Sequence, residues 1–238
     1  MQIALIGYGK MGRMIEEVAL DMGHKVVARI NIENIEDFTR ENLIKADVAI
    51  EFTAPGSAFD NVKKCIDFGL PVVSGSTGWN DKLEEIKKYC ILKNGSFLHA
   101  SNFSIGVNIF FELNKLLARL IASQSSYNVS VNEIHHTQKK DAPSGTAVTM
   151  AEQILSYLRD KKEWVNYKSE NKEHLSITSE RIDPHPGKHE VKYSSEIDDI
   201  EIIHTAHNRK GFAVGAVKAA EYIFNKKGVF TMKEVLGL

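Results

Sequence analysis

The chain has 238 residues, 43% hydrophobic and 26% charged, with a formal net charge of −1. That length can bury one large or two modest cores, and the near-neutral balance argues against a nucleic-acid partner, which needs a basic face. No apolar run approaches membrane-spanning length, and Cys65 and Cys90 lack motif spacing, so the chain reads as cytoplasmic, with reduced core thiols and neither a metal nor a redox site.

In chain order, QIALI (Gln2–Ile6) is a short apolar strand that runs straight into GYGKMG, a GxGxxG. Gly7 permits the tight turn, Gly9 lets the backbone approach a pyrophosphate, and Gly12 lets the next helix lie against the strand. Met11, Ile15, Val18 and Met22 give that helix its buried stripe, and a second strand follows at Lys25–Ile30. A glycine fingerprint set between a strand and an amphipathic helix reads as a dinucleotide site. The acidic ribose-binding residue expected about 20 residues on is missing: Asn31 stands near that position, with Arg29 slightly early and Glu33 slightly late. Asparagine can bond a hydroxyl without repelling a phosphate, so the choice between NADH and NADPH stays open.

Strands over residues 46–52, 71–74 and 96–100 alternate with helical patterns over 35–44, 57–68 and 81–91. That order predicts an α/β, doubly wound, Rossmann-like parallel sheet with ligands at the carboxyl ends of its strands. Three strand-end loops, FTAPGS (52–57), SGSTGW (74–79) and ASNFSIG (100–106), carry the small and hydroxyl residues that suit backbone approach to a ribose or nicotinamide, though for any one loop alone ordinary turn chemistry is the preferred reading.

A strongly apolar helix over 107–121 precedes strand-like runs at 127–136, 175–181, 188–193 and 200–207, and a helical repeat returns at 212–223. A second α+β domain on a mixed sheet is therefore expected over 105–210, with 1–104 and 211–238 forming the dinucleotide domain. The chemistry is densest at EIHHTQKKDAPSGTA, residues 133–147. On an extended strand Glu133, His135 and Thr137 share one face and His136 takes the other, with Lys139 continuing the His135 side. Ser144 then reads as the N-cap of a helix whose apolar face is Ala147, Met150, Ala151, Ile154, Leu155 and Leu158. Backbone N–H groups near Gly145 and Thr146, at the positive end of the helix dipole, suit a carboxylate. Cations and a proton donor thus surround one anion pocket.

His204 and His207 form an HxxH, but on a strand that spacing turns the rings to opposite faces and argues against a shared metal. Arg181, His189, Arg209 and Lys210 either attract an anionic substrate or face water, and the solvated reading is preferred. A different nicotinamide-dependent imine or amino-acid reductase, and a non-catalytic dinucleotide sensor, are the other classes considered; a DNA-acting sensor would need a basic recognition helix that the sequence lacks.

GYGKMG, EFTAPGS, SGSTGW, ASNFSIGVN, EIHHTQKKDAPSGTA and GFAVGA, in this order over nearly the whole chain, resemble the 4-hydroxy-tetrahydrodipicolinate reductase family, the dihydrodipicolinate reductases of lysine and diaminopimelate synthesis. The resemblance implies that His135 is the main acid/base residue and Lys139 the proton donor, while His136, Gly145 and Thr146 hold the carboxylates of a small dicarboxylate. It places the NADH or NADPH along Gly7, Tyr8, Gly9, Lys10, Met11 and Gly12, along Gly75, Ser76 and Thr77, and along Ala100, Ser101, Asn102 and Phe103, with Asn31 near the ribose. Glu51 stands where the family has aspartate, and Ser76 where it has threonine. A homo-oligomer is expected through the second domain's sheet, whose outer apolar face would need covering; the resemblance implies a tetramer.

Overall fold

A computed structural model describes all residues, Met1–Leu238. They form two compact units, Met1–Ile105 with Lys210–Leu238, and Gly106–Arg209. No helix is long and apolar enough to cross a membrane.

The first unit begins with β1 (Gln2–Ile6), α1 (Lys10–Asp21), β2 (Lys25–Ile30), α2 (Arg40–Leu43), β3 (Val48–Glu51), α3 (Pro55–Asp67), β4 (Val72–Ser74), α4 (Leu83–Leu92) and β5 (Ser96–His99). The second contains most of α5 (Ile105–Ile121), then β6 (Asn128–His135), α6 (Gly145–Leu155), β7 (Glu163–Val165), β8 (His174–Arg181), β9 (Gly187–Ser194) and β10 (Asp199–Ala206). The chain returns to the first unit through α7 (Lys210–Ile223), β11 (Gly228–Phe230) and α8 (Met232–Leu236).

The first sheet has the order β11-β5-β4-β3-β1-β2, every pair parallel. Its inner strands are buried on both faces, as continuous apolar runs such as IALI and VAI require. One face, with Ile3, Leu5, Val48, Ile50, Val73 and Leu98, meets the small-residue face of α7 and Ile15, Val18 and Ala19 of α1. The other, with Ala4, Ile6, Ala49, Val72 and Phe97, meets Ala58, Val62 and Cys65 of α3 and Ile86 and Cys90 of α4. The strand order reverses at β1, so the crevice for a ligand opens at the carboxyl ends of β1 and β3.

The helix expected over 35–44 is instead a 3₁₀ turn, Ile32–Asp37, followed by the four-residue α2. Two caps break it. Asn31 Oδ1 accepts from the N–H groups of Glu33 and Asn34, Thr39 Oγ1 accepts from Asn42, and Asn34 between them has non-helical torsions.

In the second unit the sheet order is β10-β9-β6-β8-β7, with β6, β8 and β7 parallel and β9 and β10 antiparallel. Alternation decides its faces. Val129 and Val131 of β6, Leu175 and Ile177 of β8 and Val191 and Tyr193 of β9 pack on α5 and α6. The opposite face carries Ser130, Asn132, Ser176, Thr178, Glu190, Lys192 and Glu201, with Ile134 and Ile203 as its main apolar side chains. The expectation of an outer apolar face is therefore corrected: that surface is mostly polar.

Candidate active site

The anion receptor of the first unit turns on two glycines, Gly7 and Gly12, that no other residue could replace without movement. Gly7 has φ +98°, and a Cβ there would lie 1.9 Å from the Phe52 carbonyl oxygen. A Cβ on Gly12 would lie 2.2 Å from the Gly7 carbonyl oxygen, whereas Gly9 faces open space. Gly9 is also the N-cap of α1 and supplies no side-chain cap, so the helix start at Lys10 and Met11 presents its N–H groups for an outside anion. These features fit the pyrophosphate of a dinucleotide.

Around that turn, Phe52 organises the strand-end loops. Its ring contacts Phe103 at 5.7 Å between centroids, and a Cβ on Gly75 would lie 2.1 Å from it. Beneath it Glu51, fully buried at the end of β3, accepts hydrogen bonds from Ser74 Oγ (2.6 Å), Ser76 Oγ (2.7 Å), Thr53 N (3.0 Å) and the Thr53 hydroxyl. Burial pushes the Glu51 pKa up, and these donors partly offset it. Thr77 and Ser101 are exposed, Ala100 is half-buried, and Asn102 is buried with its Oδ1 accepting from Ser104 N (2.9 Å). Asn31 spends its Oδ1 on the cap already described. Nearby, Tyr8 lies under both Arg13 and Arg29 (5.8 and 5.9 Å to the ring), and its hydroxyl donates to Glu16, which also pairs with Arg29.

In the second unit the site grows out of the core by parity. Along β6 the inward residues are Val129, Val131, Glu133 and His135, so the buried face turns from apolar to charged within one strand. Register sets Glu133 opposite His189 of β9 and His135 opposite Arg181 of β8. Glu133, fully buried, receives Arg181 Nη2 (3.1 Å) and Ser144 N (3.0 Å) on Oε1, while His135 Nδ1 lies 3.0 Å from Oε2. Burial alone would raise its pKa; the polar groups beside it, His135 and Ser144 foremost, outweigh burial and hold the carboxyl well below the usual carboxylate range.

His189 packs edge-on against His135 at 5.0 Å, with Nε2 3.2 Å from Ser144 Oγ. Burial first, then the charge of His135, pulls its pKa down to about 3. Ser144 caps α6 through Ala147 N (3.2 Å), leaving Gly145 exposed at the helix start with open space where a Cβ would stand. His136 points to the other side of the strand, where Arg209 Nη2 sits 3.1 Å from its Nε2; burial and then that guanidinium lower its pKa. Lys139 Nζ donates to both Asp141 oxygens (2.9 and 2.8 Å), and Arg181 holds this segment through the carbonyls of Lys139 (3.3 Å) and Asp141 (2.6 Å).

Arg181 and His189 are therefore not solvated, as the sequence reading preferred, but members of the buried network, and Arg209 bonds a candidate site residue. Lys210 does face outward, pairing with Asp21 at 3.2 Å. Glu133 and Phe52 join the candidate site as well, beyond the residues that the sequence motifs assign to it. The available signal was parity: Ser179 and Arg181 follow Ile177, and His189 precedes Val191 and Tyr193, each in step with buried core positions.

The chain matches the family models for the dihydrodipicolinate reductase N-terminus over residues 1–103 and C-terminus over residues 106–236. It is 47% identical over 236 residues to a 4-hydroxy-tetrahydrodipicolinate reductase of Christiangramia forsetii, covering 99% of this chain and 98% of the relative. The enzyme of that name from Neisseria gonorrhoeae is 33% identical over 94% of this chain and 84% of its own length. Among solved structures, a dihydrodipicolinate reductase from Paenisporosarcina sp. TG-14 with dipicolinate bound superposes with a TM-score of 0.79 at 23% identity, covering 98% of each chain. A scyllo-inositol dehydrogenase from Lactobacillus casei shares the fold more distantly, with a TM-score of 0.58 at 11% identity over 99% of this chain and 91% of that one. The chain belongs to the 4-hydroxy-tetrahydrodipicolinate reductase family.

Proposed function

We infer that this protein catalyses the NAD(P)H-dependent reduction of 4-hydroxy-tetrahydrodipicolinate to tetrahydrodipicolinate, with release of water, in the route to diaminopimelate and lysine. The observation that carries this reading is the family match across both units. We place the reaction in the cytoplasm. When bound, the reduced nicotinamide supplies the hydride; the chain's own residues position the dicarboxylate and manage protons.

Gly7, Tyr8, Gly9, Lys10, Met11 and Gly12 would hold the pyrophosphate end of the cofactor, and Gly75, Ser76, Thr77, Ala100, Ser101, Asn102 and Phe103 its nicotinamide half. In the second unit Gly145 and Thr146 open α6, whose dipole favours a carboxylate. His136, with Arg209 beside it, adds a second polar contact for the substrate. Lys139, paired with Asp141, is the proton donor, and His135 the acid/base residue that balances charge developing on the ring.

Absorbance of the reduced nicotinamide, followed with enzymatically generated substrate, tests the reaction. No cofactor oxidation by the parent enzyme would discard it. His135→Ala and Lys139→Ala should each lower turnover by about 10²-fold or more with cofactor affinity intact. Turnover within a few-fold of the parent in both would remove their roles. His136→Ala and Thr146→Ala should mainly raise KM.

A further inference from the structure

The geometry points to Glu133 as the positioning residue of this site: its carboxylate holds His135 in the Nδ1–H tautomer, so that Nε2 is the nitrogen offered to substrate, and ties that imidazole to the start of α6. The inference rests on His135 acting as proposed above. Three observations support it.

The first is the distribution of contacts over one carboxylate. Oε2 faces His135 Nδ1 at 3.0 Å, while Oε1 accepts from Ser144 N and from Arg181 Nη2. Ser144 is the N-cap of α6. The group that orients the imidazole therefore also anchors the helix start that receives the substrate's carboxylate, and fixes the spacing between proton and anion sites. Through Arg181 it reaches further, to the backbone of Lys139 and Asp141.

The second is charge state. The polar groups around Glu133 outweigh its burial and hold its carboxyl well below the usual carboxylate range, so it is an anion at neutral pH. A buried anion accepts and cannot donate, so the nitrogen facing it must carry the hydrogen. His189 cannot take that place: it stands 3.9 Å from Oε2, and its Nε2 is 3.2 Å from Ser144 Oγ.

The third lies on the far nitrogen. A Cβ on Gly187 would sit 3.1 Å from His135 Nε2 and 3.4 Å from its Cδ2. Gly187 has no positive φ to explain it; its missing side chain instead leaves volume beside Nε2. Glu133 sets the hydrogen on one side of the ring, and Gly187 keeps the other side open.

Nitrogen-15 NMR of the histidine rings, read for His135 by comparison with His135→Gln, tests the assignment at a pH where the ring is neutral. The parent should show Nδ1–H. In Glu133→Gln, whose amide can donate as well as accept, the tautomer should become mixed, and turnover should fall by about 10²-fold with KM for the nicotinamide cofactor unchanged. Glu133→Asp should recover part of that turnover. In Gly187→Ala the tautomer should stay Nδ1–H while turnover falls and dipicolinate binds more weakly. Nε2–H in the parent overturns the proposal, whether or not the variants fold; so does a Glu133→Gln enzyme with parental tautomer and turnover. Because the tautomer is read without turnover, failure of the parent to oxidise cofactor would sink the proposed reaction and leave this result to be judged separately.

Discussion

His189 shows what burial does to a titratable group at the scale of one residue. Its folded-state pKa, about 3, lies below the ordinary imidazole value, so as pH falls the unfolded chain takes up a proton before the folded one. The stability it contributes is complete above about pH 6.5 and declines as pH falls toward the folded value. Glu133, also depressed, acts in the same direction at lower pH: its contribution is present above the ordinary carboxylate pKa and is lost on acidification below it. Between pH 7 and pH 5 the His189 contribution should amount to about 2 kcal/mol, read as a lower denaturant midpoint at pH 5. His189→Gln should flatten that difference; an equally steep loss in the variant would mean that other groups drive it. Cofactor choice is decided by single residues too. We propose use of both cofactors, with NADH and NADPH within about tenfold in kcat/KM, or about 1.4 kcal/mol. Asn31→Asp preserves an oxygen for the Glu33 and Asn34 N–H groups and adds a charge that a 2′-phosphate would meet, so it should penalise NADPH more than NADH. Unaltered preference in steady-state kinetics would take the ribose contact away from Asn31 and shift attention to Arg13 and Arg29 around Tyr8.

At the scale of elements, what could be read from the sequence followed how locally each feature is determined. The strands β1, β2, β6 and β8 announce themselves by apolar or alternating runs, and the site segment from Glu133 to Ala147 is contiguous, so its cap, its face and its two histidine orientations follow from period-2 reasoning. For Arg181 and His189 parity shows only that they face inward, not what they meet. They meet Glu133 only through the pairing of β6 with β8 and β9, and register is set by packing across tens of residues. The short β7, β11 and α8 carry too few residues to show a period. GFAVGA was visible as a motif, but its reason was not. A Cβ on Gly215 would stand 1.7 Å from the carbonyl oxygen of Phe103, so this glycine lets α7 press on the backbone of a proposed cofactor loop. Gly215→Ala must push one of the two away. It should destabilise the protein by about 2 kcal/mol or more and raise the KM for the nicotinamide cofactor with less effect on that for the dicarboxylate. An unchanged melting temperature together with unchanged cofactor KM would show that the helix shifts without cost.

At the scale of the whole molecule, the family resemblance leads us to propose a homotetramer assembled through the sheet of the second unit. The driving surface cannot be a broad apolar face, because the outward residues of β6, β8, β9 and β10 are chiefly hydroxyl, amide and charged groups, and Lys192 already pairs with Asp199 (2.6 Å) and Glu201 (2.8 Å). An interface there would be wet and hydrogen-bonded, with Ile203, half exposed on β10, as an apolar anchor near its edge strand. The competing surface is α5, where Ile109, Leu113, Leu116 and Leu120 are 44%, 47%, 43% and 61% exposed along one stripe. Light scattering at micromolar protein should give a tetrameric mass. Ile203→Arg should lower that mass, because it places an unpaired charge among contacts that must shed water, whereas Leu116→Lys should leave it unchanged. The reverse pattern would move the interface to α5, and a monomeric parent would remove the assembly altogether.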